Sequence, residues 1–255
     1  MKVLGVIPAR YASSRFPGKP LALLAGKTMI ERVYRQAEKC ATLDTVLVAT
    51  DDERIASTVR GFGGRVQMTP ADCPTGTDRT ALVARAEPDY GIVLNIQGDE
   101  PLLEPEAIDS AVRMSLALES ADITTLVRPA RSAAELDDPN AVKVVLAAGG
   151  RILYFSRGRA PFCKDGRLVE NVGTAREHPW RIHIGLYVHK RESLLRQVSL
   201  SPVLIERSEG LEQLRALHSG MNIYAAEVRD TASIGVDTPE DIAAVERFIE
   251  ERGLR

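Results

Sequence analysis

Val3-Leu4-Gly5-Val6-Ile7-Pro8-Ala9-Arg10 decides the fold. An apolar run of strand length stops at Pro8 and opens into a basic loop that continues to Pro20. Such a run predicts a buried strand rather than a targeting segment. Runs of the same kind recur at Thr45 to Thr50 and Gly91 to Ile96, and helical patterns separate them. Between the first two, Met29, Ile30, Val33, Ala37 and Cys40 fall on one face at a 3.6-residue period. Thr28 followed by Glu31 supplies a capping box. A second helix is expected from about Asp52 to Arg60, stopped by Gly61-Phe62-Gly63-Gly64, and another over Glu104 to Ala117. Strand and helix in alternation predict an α/β protein with a mostly parallel central sheet and flanking helices.

From about Asp122 to Tyr187 the pattern changes. Val142 to Leu146, Arg151 to Ser156 and Ile182 to Val188 read as strands, with Gly149-Gly150 marking a hairpin, so a smaller mixed-sheet insertion is expected. Gly158 to Pro179 is polar and without period, and reads as a long functional loop. Helices follow near Arg191 to Val198 and from about Glu206 to Leu217, then a strand at Asn222 to Glu227. Thr238-Pro239-Glu240-Asp241 is expected to start a C-terminal helix, with an N-cap, a first-turn proline and acids against the dipole. With no linker or repeat, residues 1–255 read as one domain carrying a sub-domain at about 122–187.

Composition narrows the function. The 255 residues carry 33 Lys plus Arg against 35 Asp plus Glu, a net charge of −2, which argues against a nucleic-acid binder. Hydrophobic residues at 44% suffice for a large core, and aromatics at 5% make that core aliphatic. Cys40, Cys73 and Cys163 lie far apart, so no disulfide framework or zinc ribbon is encoded, and the chain reads as intracellular, or cytoplasmic. No apolar stretch approaches the roughly 18 residues of a membrane span.

The loop after the first strand holds Arg10, Arg15 and Lys19, cations that can converge on a triphosphate. Three basic residues in a short loop are unexceptional. Their position is not, because ligands of open α/β sheets bind beyond the carboxyl ends of strands. Other phosphate motifs fail: Gly26-Lys27-Thr28 ends like a Walker A loop, but the required earlier glycine is Leu21, and no GxGxxG follows a strand. Asn95-Ile96-Gln97-Gly98-Asp99-Glu100-Pro101 sets Asp99 directly after a buried strand, where a carboxylate suits Mg²⁺ or simply shapes a turn. Asp237 stands before the C-terminal helix, where an acid is also at home without a ligand. Of Arg157, His183, Tyr187, Glu212 and Gln213, the histidine reads as a hydrogen-bonded core residue and the last two as solvated surface. Spacing alone does not join them.

Pro8-Ala9-Arg10-Tyr11-Ala12-Ser13-Ser14-Arg15-Phe16-Pro17-Gly18-Lys19-Pro20, Asn95 to Pro101, Pro139-Asn140-Ala141-Val142-Lys143-Val144-Val145, Tyr154-Phe155-Ser156-Arg157, His183-Ile184-Gly185-Leu186-Tyr187, Leu211-Glu212-Gln213-Leu214-Arg215 and Gly235 to Asp241 occur in that order. Together they resemble the successive motifs of the 3-deoxy-manno-octulosonate (Kdo) cytidylyltransferase family over almost the whole chain. The resemblance implies a nucleotidyltransferase of glycosyltransferase-A-like fold that makes CMP-Kdo and pyrophosphate from CTP and Kdo with Mg²⁺, for lipopolysaccharide assembly. Carried over by position, Arg10, Arg15 and Lys19 would hold the triphosphate with Ala9 also binding the nucleotide, and these three cations with Asp99 and Asp237 would be the catalytic residues. Thr75, Gly76, Thr77, Asp78 and Arg79 would contact the cytidine, and Gln97 would lie near ribose and sugar. Asp99 and Asp237 would ligate magnesium, while Arg157, His183, Tyr187, Glu212 and Gln213 would hold the sugar acid. Similar enzymes are homodimers that pair through the middle segment.

After Arg157 this family usually reads a small residue, Pro or Thr, Ile, then Pro, whereas this chain has Gly158-Arg159-Ala160-Pro161. The same first loop would serve a cytidylyltransferase for sialic acid or for the 8-amino analogue of Kdo. A silent nucleotide-binding protein on this fold is a further alternative, because fold does not fix function. A glycosyltransferase would require Asp-x-Asp, and here Glu100 and Pro101 follow Asp99.

Overall fold

A computed structural model describes residues 1–12, 16–164, 166–170, 172, 178–229, 235–236 and 238–253. In chain order its elements are β1 (Lys2–Ala9), a 3-10 turn (Lys19–Leu21), β2 (Leu23–Leu24), β3 (Lys27–Thr28), α1 (Met29–Glu38), β4 (Thr45–Thr50), α2 (Glu53–Gly61), β5 (Val66–Met68), α3 (Gly76–Ala86), β6 (Tyr90–Ile96) and α4 (Pro105–Ala117). There follow β7 (Ile123–Pro129), α5 (Ala133–Asp137), β8 (Lys143–Leu146), β9 (Ile152–Ser156), α6 (Gly166–Glu170), β10 (Arg181–Lys190), α7 (Arg191–Gln197), α8 (Leu204–Glu209), α9 (Gln213–His218), β11 (Ile223–Glu227) and α10 (Asp241–Glu251). The chain divides into two compact units, Met1–Asp109 with Thr231–Arg255, and Ser110–Asp230.

The first unit is built on parallel strands in the order β5-β4-β1-β6, with β1 registered Leu4 to Thr45 on one side and Val3 to Ile92 on the other. Val3, Leu4, Val6 and Ile7 are buried, as are the central residues of β4 and β6, so the strands carry the aliphatic core that the sparse aromatics predict. Thr28 caps α1 by accepting from Glu31 N at 3.4 Å, and Asp52 caps α2 by accepting from Arg54 N at 2.9 Å. A separate apolar cluster packs Leu24, Met29 and Leu102 on Val236, Val245 and Ile249.

The second unit is a mixed sheet. β11 runs parallel to β7, and β7, β10, β8 and β9 follow in antiparallel succession. Gly149 and Gly150, at φ 75° and 81°, turn the chain between β8 and β9 as the dipeptide predicts. The β7–β10 ladder is irregular between Ile184 and Tyr187, where Thr125 Oγ1 donates to Leu186 O at 2.6 Å.

Three expectations are corrected. The helix expected over Glu206 to Leu217 is two, α8 and α9, because Gly210 takes a left-handed conformation at φ 61°. The stretch Gly158 to Pro179 holds a short helix, α6, and Trp180 Nε1 donates to Pro161 O at 2.9 Å. The C-terminal helix begins at Asp241 rather than Thr238: Thr238 N donates to the Asp241 carboxylate at 2.8 Å, and the intervening residues form a turn. The sequence patterns also do not mark β2, β3, β5, β7, α3 and α5.

Candidate functional site

Three segments of the first unit converge. The end of β1 brings Pro8, Ala9 and Arg10, the N-terminus of α3 brings Thr75 and Gly76, and the turn after β6 brings Gln97, Gly98 and Asp99. Glycine permits two close approaches here: a Cβ on Gly76 would stand 3.2 Å from Pro8 Cγ, and one on Gly98 would stand 3.2 Å from the Pro8 carbonyl oxygen, so a side chain at either place would have to displace its neighbour slightly. The result is a cavity of about 400 Å³ lined also by Lys19, Pro20, Cys73, Pro74 and Arg79. It sits at the carboxyl ends of parallel strands, where α/β sheets bind ligands.

Its electrostatics are those of an anion site with an acidic edge. Lys19 Nζ donates to Asp99 Oδ2 at 2.7 Å and to Val236 O at 2.9 Å. Gly18, at φ 74°, turns the loop so that Lys19 can reach this position, and Gly18 N donates to Tyr11 O at 2.9 Å. Oδ1 of Asp99 accepts no hydrogen bond among the described residues. Val236 N donates to Asp99 O at 2.9 Å, tying the segment before Asp237 to the same turn.

The N-terminus of α3 opens on the cavity, where its first backbone N–H groups are donors for a ligand's acceptor atoms. Thr75 caps it, accepting from Asp78 N at 3.1 Å and donating to Asp78 Oδ2 at 2.7 Å. Thr77 is buried beneath, and receives a hydrogen bond from Asn95 Nδ2 at 3.4 Å. Thr77 and Asp78 therefore support the wall that Thr75, Gly76 and Arg79 form. Arg79 is only 3% exposed. Its Nη1 donates to Thr69 Oγ1, and its Nη2 lies 3.4 Å from Asp51 Oδ1. Neither partner was singled out from sequence.

In the second unit, β9 and β10 gather part of the group that spacing did not join. Phe155, His183, Tyr187 and His189 form a ring ladder with successive centroid distances of 5.2, 5.3 and 6.2 Å. His183 Nε2 shares a 2.9 Å hydrogen bond with Thr125 Oγ1. Dense packing lowers the His183 pKa to about 4, so the imidazole is neutral at pH 7 although the residue is only half-buried. Burial, and then the Glu212 carboxylate, raise the Tyr187 pKa and keep its phenol protonated. Gln213 is 6% exposed, which corrects the expectation of a solvated surface residue, and Glu212 is half-buried.

Arg157 is held by backbone. Nε donates to Glu209 O at 2.6 Å, Nη1 to Pro139 O at 2.8 Å and Nη2 to Gly210 O at 3.4 Å. Arg159, the extra cation after it, pairs with Asp137 at 2.5 and 2.6 Å. Arg15 and Asp237 lie outside the described residues.

Comparison with known proteins accords with this arrangement. The cytidylyltransferase family profile matches residues 4–223. The chain is 48% identical to the 3-deoxy-manno-octulosonate cytidylyltransferase of Syntrophotalea carbinolica, over 100% of both chains. It is 46% identical to the enzyme of the same name from Myxococcus xanthus, over 99% of this chain and 98% of that one. A solved structure of CMP:2-keto-3-deoxy-manno-octonic acid synthetase complexed with CTP superposes with a TM-score of 0.91 at 36% identity, covering 99% of this chain and 100% of that one. With likeness of this degree along its whole length, the chain belongs to the 3-deoxy-manno-octulosonate cytidylyltransferase family.

Proposed function

We propose that this protein transfers the cytidylyl group of CTP to Kdo, releasing pyrophosphate and making CMP-Kdo for lipopolysaccharide synthesis. The observation that carries the reading is the cavity at the β1 and β6 strand ends, where Lys19 and Asp99 meet at 2.7 Å beside Arg10 and the N-terminus of α3. A nucleoside triphosphate matches both its cationic and its acidic side.

In this reading the triphosphate lies against Ala9, Arg10, Arg15 and Lys19, and the cytidine against Thr75, Gly76 and Arg79, with Thr77 and Asp78 behind them. Gln97 borders ribose and sugar. Arg157 takes the sugar carboxylate, because a guanidinium offers paired donors in a plane. His183, Tyr187, Glu212 and Gln213 take its hydroxyls. The anomeric hydroxyl attacks the α-phosphorus in line with the departing pyrophosphate, and positioning with charge neutralisation supplies most of the acceleration. Arg10, Arg15 and Lys19 stabilise the charge that builds on pyrophosphate. His183, neutral at pH 7 and bonded to Thr125, serves as a hydrogen-bonding group rather than a base.

The donor set fits Mg²⁺, which takes hard oxygens and few protein ligands beside substrate phosphates. Asp99 offers Oδ1, and Asp237 follows the residue whose N–H is bonded to Asp99 O. Bound there, Mg²⁺ would supply charge neutralisation and lower the pKa of the attacking hydroxyl. The protein works in the cytoplasm as a homodimer, pairing through a sub-domain at about residues 122–187 of a single nucleotidyltransferase domain.

Pyrophosphate release from CTP and Mg²⁺ tests the reading, with Kdo, 8-amino-Kdo, sialic acid or no sugar. Release with Kdo above the others is expected. Release with another acid alone would move the specificity, and none with any sugar would overturn the activity.

A further inference from the structure

Lys143, on β8, is fully buried, an uncommon place for an ammonium. Its Nζ donates to two backbone carbonyls, Asp138 O at 2.8 Å and Arg157 O at 2.6 Å. Burial lowers its pKa against the opposing pull of Asp138 and Asp137. A buried cation needs strong compensation, and an aliphatic side chain would fill the same space without that demand. What the lysine adds is the tie between those two carbonyls.

Both carbonyls bear on Arg157. Asp138 immediately precedes Pro139, whose carbonyl receives Arg157 Nη1 at 2.8 Å. Lys143 thus joins the carbonyl of Arg157 to the same turn that receives its guanidinium. From the other side, Glu209 Oε2 accepts from Arg157 N at 2.8 Å, and Glu209 O accepts from Arg157 Nε at 2.6 Å. Glu209 is itself set by Ser156 Oγ at 3.0 Å and Tyr154 OH at 3.3 Å, both donating to Oε1. The β8–β9 register places Lys143 opposite Ser156, so Lys143 reaches Arg157 from the neighbouring strand while Glu209 reaches it from the end of α8.

We infer that Lys143 and Glu209 are positioning residues that clamp the peptide groups on both sides of Arg157, so that its remaining N–H donors meet the sugar carboxylate in one orientation. This rests on the reading of Arg157 as the carboxylate's partner. A guanidinium held in place before the sugar arrives loses less freedom on binding, and the advantage is read in Kdo affinity. Neither anchor touches substrate in this scheme.

The test is saturation kinetics for Kdo and for CTP on the full chain, as Lys143→Met, Glu209→Gln, Arg157→Ala and the Lys143→Met/Arg157→Ala double variant. Lys143→Met and Glu209→Gln are expected to raise the KM for Kdo about tenfold while the KM for CTP stays at its wild-type value. The double variant is expected to be no worse than Arg157→Ala alone, because Lys143 acts through Arg157. A merely structural lysine would instead give penalties that multiply, and that result overturns the inference. So does a wild-type Kdo KM in both folded anchor variants alongside a raised one in Arg157→Ala. Should Lys143→Met fail to fold, Glu209→Gln with Arg157→Ala forms the same cycle. A wild-type Kdo KM in Arg157→Ala removes the carboxylate role of Arg157 from the proposed function, and the inference with it.

Discussion

At the scale of single residues, the chemistry rests on charges set against one another at short range. Asp99 holds Lys19 at 2.7 Å through Oδ2, and among the described residues its Oδ1 accepts no hydrogen bond. Asp99→Asn preserves the shape of that group and removes its charge. Turnover is expected to fall about a hundredfold or more with an unchanged circular dichroism spectrum. Near-normal turnover would sink the metal-ligand role. His183 gives a second prediction, in stability. Folded His183 takes up its proton only near pH 4, whereas the unfolded residue does so near 6.5. Between these values the unfolded chain binds more protons, so stability falls as pH falls through that window. Linkage over this interval amounts to about 1–3 kcal/mol, the lower figure reflecting the ring's residual solvent contact. Urea midpoints at pH 7, 5.5 and 4.5 check it, because His183→Gln should flatten the difference.

At the scale of elements, turns decide where the functional groups arrive. Gly210, at φ 61°, ends α8 and breaks what the apolar pattern reads as one helix into two. Its carbonyl accepts from Arg157 Nη2 at 3.4 Å. Gly210→Ala is expected to destabilise the protein by about 1 kcal/mol, measured by thermal or urea unfolding, because an L side chain disfavours that conformation. In the first loop, the Arg54 guanidinium stacks 3.3 Å from the centroid of the Tyr11 ring, and Tyr11 O receives the Gly18 N–H. Arg54 lies on α2, outside the loop that it steadies. Arg54→Ala should raise the KM for CTP about threefold, in line with the strength of an exposed cation–π contact. An unchanged KM would show that the backbone bond suffices. Both features show why boundaries set by neighbouring residues were legible, while the one at Gly210 and the long-range contacts were not. Thr28, Asp52 and Gly149-Gly150 act on adjacent residues, whereas Gly210 and Arg54 act on partners far along the chain.

At the scale of the whole molecule, the proposed reaction predicts that CTP binds without sugar, since the described residues that line the cavity of about 400 Å³ all belong to the first unit. CTP with Mg²⁺ should therefore raise the melting temperature in the absence of Kdo. At a hundred times its Kd, a ligand confined to the folded state adds about 2.7 kcal/mol. Lys19→Ala should weaken the shift, and no shift at any CTP concentration would contradict the assignment of the cavity. Family membership was legible from short motifs in order, and the full-length relatives bear it out.

Much of the fold was determined by the sequence alone. The strands β1, β4 and β6, the cap of α1, the span of α2 and the hairpin after β8 follow from apolar period and from residues that satisfy neighbouring backbone groups. The placing of Arg10, Lys19 and Asp99 at strand ends follows from the same reading. Only tertiary structure decided what those residues meet. Lys19 reaches Asp99 across 80 positions, His183 finds Thr125 across 58, and Arg157 is clasped by Glu209 across 52. Period and capping report the solvent exposure and backbone needs of adjoining residues, so they mark elements. A hydrogen bond between distant side chains depends on sheet register and on a turn such as Gly210, and these form only as the core packs.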